Sequence, residues 1–102
     1  MRCKTPKLRQ LEKNRFSVFY ELDKCMNCGS TYQMTIHEIF EGKNRRNSMI
    51  YGFTLPLCLK CHRLLQEDKE FNDIWKKKAQ TYFEKDHTRD EFINIFRRNY
   101  KD

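Results

Sequence analysis

Apolar residues recur most regularly in the last third of the chain. In "EFNDIWKKKAQTYFEK", Phe71, Ile74, Trp75, Ala79, Tyr82 and Phe83 fall at helical spacing, with Lys76, Lys77, Gln80 and Glu84 opposite them. A stripe of this kind predicts a helix laid on a core. The following segment, "HTRDEFINIFRRNY", sets Thr88 three residues ahead of Glu91, the spacing of a capping box in which each side chain satisfies a backbone donor of the first turn. It predicts a second helix whose Phe92, Ile95 and Phe96 face inward, with His87 on the surface just ahead of the cap.

The pattern changes to period two in the middle of the chain. "YQMTIHEIF" is rich in β-formers, "MIYGFTLPL" resembles a second strand, and the polar "EGKNRRNS" between them is the expected hairpin loop. Strict alternation puts Met34, Ile36 and Glu38 on one side of the first strand and His37 and Ile39 on the other. Nearer the start, residues 7–22 carry Leu8, Leu11 and Phe16 at the spacing of a short helix in poor phase. No repeat, low-complexity tract or Gly/Ser linker interrupts the chain, so the 102 residues predict a single domain.

Composition limits what apolar packing can achieve here. With 38% hydrophobic and 34% charged residues in so short a chain, the core is small and a covalent or metal staple is expected. Four of the five cysteines form two CxxC pairs, Cys25/Cys28 and Cys58/Cys61, and Cys3 stands alone. The chain opens "MRCKTPKLRQ", without an apolar leader, and no window approaches the roughly 18 apolar residues of a membrane span, so a cytoplasmic, reducing setting is expected. Paired cysteines bind metal more often than they form disulfides there.

A CxxC turn presents two sulfurs to one ion, and two such pairs supply the four thiolates of a tetrahedral zinc site. Gly29, directly after Cys28, offers a backbone free to take positive φ beside the sulfurs. The 29 residues between Cys28 and Cys58 suffice for a hairpin whose base the ion clasps and ties to a helix starting near Cys61. A redox pair or buried free thiols are the competing readings, and the first leaves the second CxxC unexplained. With all four positions taken by protein, the zinc is structural.

The formal charge of +7 favours a polyanionic partner, because lysines and arginines that neutralise phosphates release condensed counterions. Arg2, Lys4, Lys7, Arg9, Lys13 and Arg15 meet only Glu12 within the first twenty residues. Smaller groups follow at Lys43/Arg45/Arg46 and at Lys76/Lys77/Lys78, the latter reading equally as a solvated face.

Taken in order, CxxC, a strand with histidine, a loop, a second strand and "LCLKCH" resemble the zinc-containing HNH endonucleases of the ββα-metal class. "LEKNRFS", "HEIFEGKNRRNS", "YGFTLPLCLKCH" and "KKKAQTYFEKDHTRDEFINIFRRNY" resemble a group of small HNH-like proteins of phages and prophages of Gram-positive bacteria, and this similarity spans nearly the whole chain. The resemblance implies an α+β fold: a basic N-terminal arm (1–20), a zinc-clasped ββα core (25–66) and a helical C-terminal part packed on it (67–102). By position it sets His37 on the strand metal ligand, Glu38 on the general base and His62 on the helix ligand. In the alternative assignment His37 is the base, since imidazole is the better base near neutral pH, and Glu38 or another carboxylate serves the metal.

The chain departs from the family pattern at three places. Glu38 replaces the usual histidine base, Phe53 stands where an asparagine is expected before His62, and Gln66 lies one turn after His62; Asn44, Asn47, Glu67 and Asp68 are the nearby substitutes. The implied activity is hydrolysis of DNA in a bacterial host's cytoplasm with magnesium, manganese or a second zinc, Lys43, Arg45 and Arg46 holding phosphates. The alternative is a catalytically inactive, zinc-stabilised protein that binds nucleic acid or a host protein such as a defence nuclease.

Overall fold

Two short antiparallel strands form the centre of the molecule, β1 (Met34–Glu38) and β2 (Thr54–Cys58), paired from Met34 opposite Cys58 to Glu38 opposite Thr54. Among the described residues five α-helices surround them: α1 (Pro6–Lys13), α2 (Arg45–Tyr51), α3 (Leu59–Leu65), α4 (Lys69–Phe83) and α5 (Arg89–Phe96). The computed structural model describes residues 6–101, with side chains from Arg9 onward; Arg2, Cys3 and Lys4, and the side chains of Lys7 and Leu8, lie outside this range. The fold is α+β, as the sequence predicts. Among the described residues no helix is long and apolar enough to cross a membrane.

The connection between the strands differs from the expected loop. It is helical, a 3-10 turn at Gly42–Asn44 running into α2, so Met49, Ile50 and Tyr51 belong to a helix and the second strand begins only at Thr54. Long-range contacts explain this. Buried Ser48 bonds both the amide and the carbonyl of Phe40 (2.9 and 2.8 Å), and the Asn44 and Asn47 side chains donate to the Phe96 and Ile95 carbonyls at the end of α5 (2.9 and 3.1 Å). Gly52 ends α2 at φ +71°, and a Cβ there would strike the ring of Phe16. Phe16 therefore packs outside α1, which stops at Lys13.

The outer edge of β2 is not left bare. Val18 donates to the Gly52 carbonyl (2.9 Å), Ser17 to the Thr54 carbonyl (2.6 Å) and Thr54 to the Phe16 carbonyl (2.6 Å), while Met26 donates to the Pro56 carbonyl (2.8 Å). The Pro56 carbonyl thus points away from β1, and the N–H that proline lacks would point the same way, so a proline inside the strand costs the ladder nothing.

In α4 the buried positions are Trp75, Ala79, Gln80 and Phe83, whereas Ile74 and Tyr82 are 44% and 39% exposed. The stripe is rotated toward a residue that the sequence places on the polar side. Gln80 is tolerated there because its amide is fully used: it donates to Glu84 and Asn99 (2.8 Å each) and accepts from the Tyr100 amide (2.8 Å), pinning the chain after α5. The capping box of α5 forms as expected between Thr88 and Glu91.

Candidate metal centre and histidine pair

The two CxxC turns meet. Sγ atoms of Cys25, Cys28, Cys58 and Cys61 all lie within 4.8 Å of one another, and Cys28 and Cys58 are 3.7 Å apart. Sulfurs bound to one zinc at about 2.3 Å in a tetrahedron are separated by about 3.8 Å, so the donor set and its spacing fit a structural metal. Local geometry builds the site as the spacing predicts. Gly29 sits at φ +79° and donates to the Cys25 carbonyl (2.9 Å), closing the first turn; Cys58 ends β2 and Cys61 lies in the first turn of α3.

Four thiols this close cannot all ionise without a cation. Burial opposes ionisation of Cys25, but hydrogen bonds from the Cys58, Cys28 and Asn27 backbones outweigh it and bring that thiol down to about 6. The Asn27 side-chain amide favours the Cys61 thiolate at 3.3 Å, yet burial and the three neighbouring sulfurs push Cys61 up to about 12. A dication removes this conflict, so the cluster suits a structural metal held by all four thiolates.

Beside this clasp the structure brings together His37 and His62, whose ring centroids are 5.3 Å apart at an interplanar angle of 83°. Their free nitrogens follow from their partners. The Thr35 hydroxyl donates its one proton to the Leu57 carbonyl (2.7 Å), so toward His62 Nδ1, also at 2.7 Å, it accepts, and His62 donates from Nδ1. Asn72 donates its side-chain amide to the Leu65, Gln66 and Asp68 carbonyls (3.0, 3.1 and 2.8 Å), which leaves its Oδ1 to accept from His37 Nε2 at 3.2 Å. The lone pair of His37 is thus on Nδ1, 3.9 Å from a Glu41 carboxylate oxygen. Burial first, and the neighbouring His62 second, hold the His37 pKa below the usual histidine value, so the ring is neutral at pH 7.

Compared with protein-family models, characterised proteins and solved structures, the chain matches none of them.

The other residues expected at the site are spread over different surfaces. Glu38 faces away from the histidines, and its Oε1 accepts from Arg15 (2.8 Å) and Arg45 (3.3 Å). Arg45 also pairs with Glu12, and these carboxylates hold its pKa above the ordinary arginine value. Of the three hairpin cations, Lys43 and Arg46 are exposed while Arg45 is engaged in this cluster. Asn44 and Asn47 serve the end of α5. Asp68 caps α4 by accepting from the Phe71 amide at 3.0 Å. His87 is exposed, as expected, and stacks on Phe83 at 4.5 Å.

Two residues of the histidine environment were not read from the sequence. Asn72 plugs the last carbonyls of α3 while orienting His37; its signal was a polar residue three before Trp75, inside the apolar stripe. Glu41 had no signal beyond its four-residue distance from His37.

Proposed function

We propose that this chain is a zinc-clasped, HNH-like protein of phage origin that hydrolyses phosphodiester bonds in DNA at the His37–His62 pair. One observation supports this above the rest: two imidazoles from different elements have ring centroids 5.3 Å apart, each with one nitrogen held in a hydrogen bond, Nδ1 of His62 to Thr35 and Nε2 of His37 to Asn72. Two imidazoles sharing one ion through bonds of about 2.0–2.1 Å have centroids about 5 Å apart, so the pair fits a common cation. A divalent cation supplies charge neutralisation at the scissile phosphate and its leaving oxygen when bound.

His37 and His62 are its nitrogen ligands in one assignment. In the other, His62 holds the ion and His37 accepts the proton of the attacking water on Nδ1, which its depressed pKa keeps unprotonated at neutral pH. Asn72 is then a positioning residue that fixes the tautomer through Nε2. Glu38, neutralised by two arginines, supports the strand in either case. Imidazole donors suit zinc or nickel better than magnesium, so the assay covers these as well as magnesium and manganese. Zinc-loaded protein nicks supercoiled plasmid with at least one of the four ions, and His37→Ala and His62→Ala abolish nicking while each retains one zinc per chain. No nicking with any ion defeats hydrolysis.

A second reading has its own support. His37 is 1% exposed, and among the described residues only the four cysteines gather three or more metal-binding side chains. These features suit a protein that keeps the clasped scaffold and binds nucleic acid, or a host protein, without cutting.

A further inference from the structure

The cations expected to hold phosphates lie on the connection between the strands, and one of them, Arg45, is already paired. Other lysines are arranged differently. A groove of about 520 Å³ runs beside the C-terminal half of α4, walled by Lys77, Lys78 and Lys85 and floored by Phe19 and Tyr82. No acidic residue lines it, and among the described residues none of the three lysines is in an ion pair. Two of the ammonium groups are held near aromatic faces instead, Lys78 over Trp75 at 4.5 Å and Lys85 over Tyr82 at 5.4 Å. Tyr82 is 39% exposed, and Phe19 meets it edge-on at 5.7 Å, fixing its ring in the floor.

We infer that this groove binds single-stranded nucleic acid, with Lys77, Lys78 and Lys85 along the phosphates and a base stacked on Tyr82 in the place of the Lys85 ammonium, which moves from the ring to the backbone. The exposed tyrosine favours a single strand, because bases paired inside a duplex offer no free face, whereas a cationic groove with an aromatic floor receives unpaired bases. An acidic peptide would satisfy the lysines but leave the tyrosine face without a use. The adjoining groove toward the start of α4 shares Lys77 but is lined by Glu70 and Asp73, which gives the cationic channel a definite end. The inference is separate from hydrolysis: a protein that cuts nothing would still carry this surface.

The test is anisotropy of a labelled oligothymidylate titrated with zinc-loaded protein, without added divalent cation so that no strand is cut. The variant with Lys77→Gln, Lys78→Gln and Lys85→Gln binds more than about tenfold more weakly at about 0.1 M salt, and its slope of log K against log salt flattens by about 2, or about 0.7 for each lost phosphate contact. Tyr82→Ala costs about tenfold, and Tyr82→Phe, which keeps the ring, stays within about twofold. Three results each overturn the inference: triple-variant binding within about twofold of the original, Tyr82→Phe as weak as Tyr82→Ala, or displacement of the oligonucleotide by polyglutamate at equal charge, which would assign the groove to an acidic protein.

Discussion

Leu55 and Leu57 are both fully buried, two residues apart on one strand, yet they belong to different cores. Leu55 joins Ile39, Phe40, Phe53, Trp75, Ala79, Phe83, Phe92 and Phe96, whereas the buried neighbours of Leu57 are Cys25, Cys58 and Cys61. The first region contains dense ring contacts, with Phe40 and Phe96 at 4.5 Å and Phe92 and Phe96 at 4.7 Å. Burying each large side chain there contributes about 1.5–3 kcal/mol, so the region is held by area removed from water. The second has one buried leucine and three thiols, too little apolar surface to order two chain segments. Structural zinc contributes about 10–16 kcal/mol in small peptides at pH 7, so a metal of that kind held by the four thiols would be enough to hold this end. One short strand thus joins two regions stabilised by different physics.

The largest effect expected from this contrast is on the clasp. Purified protein is expected to contain one zinc per chain by mass spectrometry. Cys58→Ser, or removal of the metal by a chelator, lowers the thermal midpoint by at least about 20 °C, taking about 5 kcal/mol lost and about 4 °C per kcal/mol for a domain of this size. A metal-free chain melting at the same temperature would show that the thiols pack like any small apolar residues. Next comes the aromatic region: Phe96→Ala costs about 3–5 kcal/mol through the cavity it leaves, while zinc content below the new midpoint stays at one per chain. Loss of zinc from that variant under native conditions would make the two regions a single cooperative unit.

How far the sequence revealed these regions follows from the range of the interactions that build them. Both CxxC pairs were legible because the ligand spacing is local, and so was the Thr88–Glu91 box, which closes within one turn. The first strand was visible in its alternation, and His37 and Ile39 do share its buried side. The helix α2 was hidden, since what makes "RRNSMIY" helical rather than looped is the bonding of Ser48 to Phe40 and of Asn44 and Asn47 to the end of α5. Gln80 was misplaced for the same reason, its partners Asn99 and Tyr100 lying about twenty positions on. At the site, the meeting of His37 with His62 was expected from the clasp, but the choice of Asn72 as the partner of His37 depends on how α3 ends and α4 begins.

His37 lies where the two regions meet, against Phe71 on one side and His62 on the other, and its titration tests that boundary. Its pKa in the folded protein is below the unfolded value of 6.5, chiefly through burial. Unfolding therefore takes up a proton in the window below 6.5, so the stability that neutral His37 contributes is present above that pH and is lost as pH falls through it. The thermal midpoint drops between about pH 7.5 and about pH 5.5, and His37→Gln makes that drop shallower. An unchanged slope in His37→Gln would assign the acid sensitivity to the thiolates alone.

The smallest expected effect sharpens the comparison most. Thr88→Ala removes the cap of α5 in the aromatic region and costs about 1 kcal/mol. Asn27→Ala removes the amide that donates to Cys61 Sγ at 3.3 Å and weakens the clasp by an amount read from zinc competition and from denaturant midpoints. The two positions share no partner, so the double variant should lose the sum of the single losses to within about 0.5 kcal/mol. A larger coupling would have to pass through β2, which supplies fully buried leucines to both cores, or through Met26, which packs against both. Near-additivity means instead that the aromatic region supports the clasp as a fixed platform, and that the geometry of His37 and His62 is set by metal and hydrogen bonds rather than by how tightly the rings behind them pack.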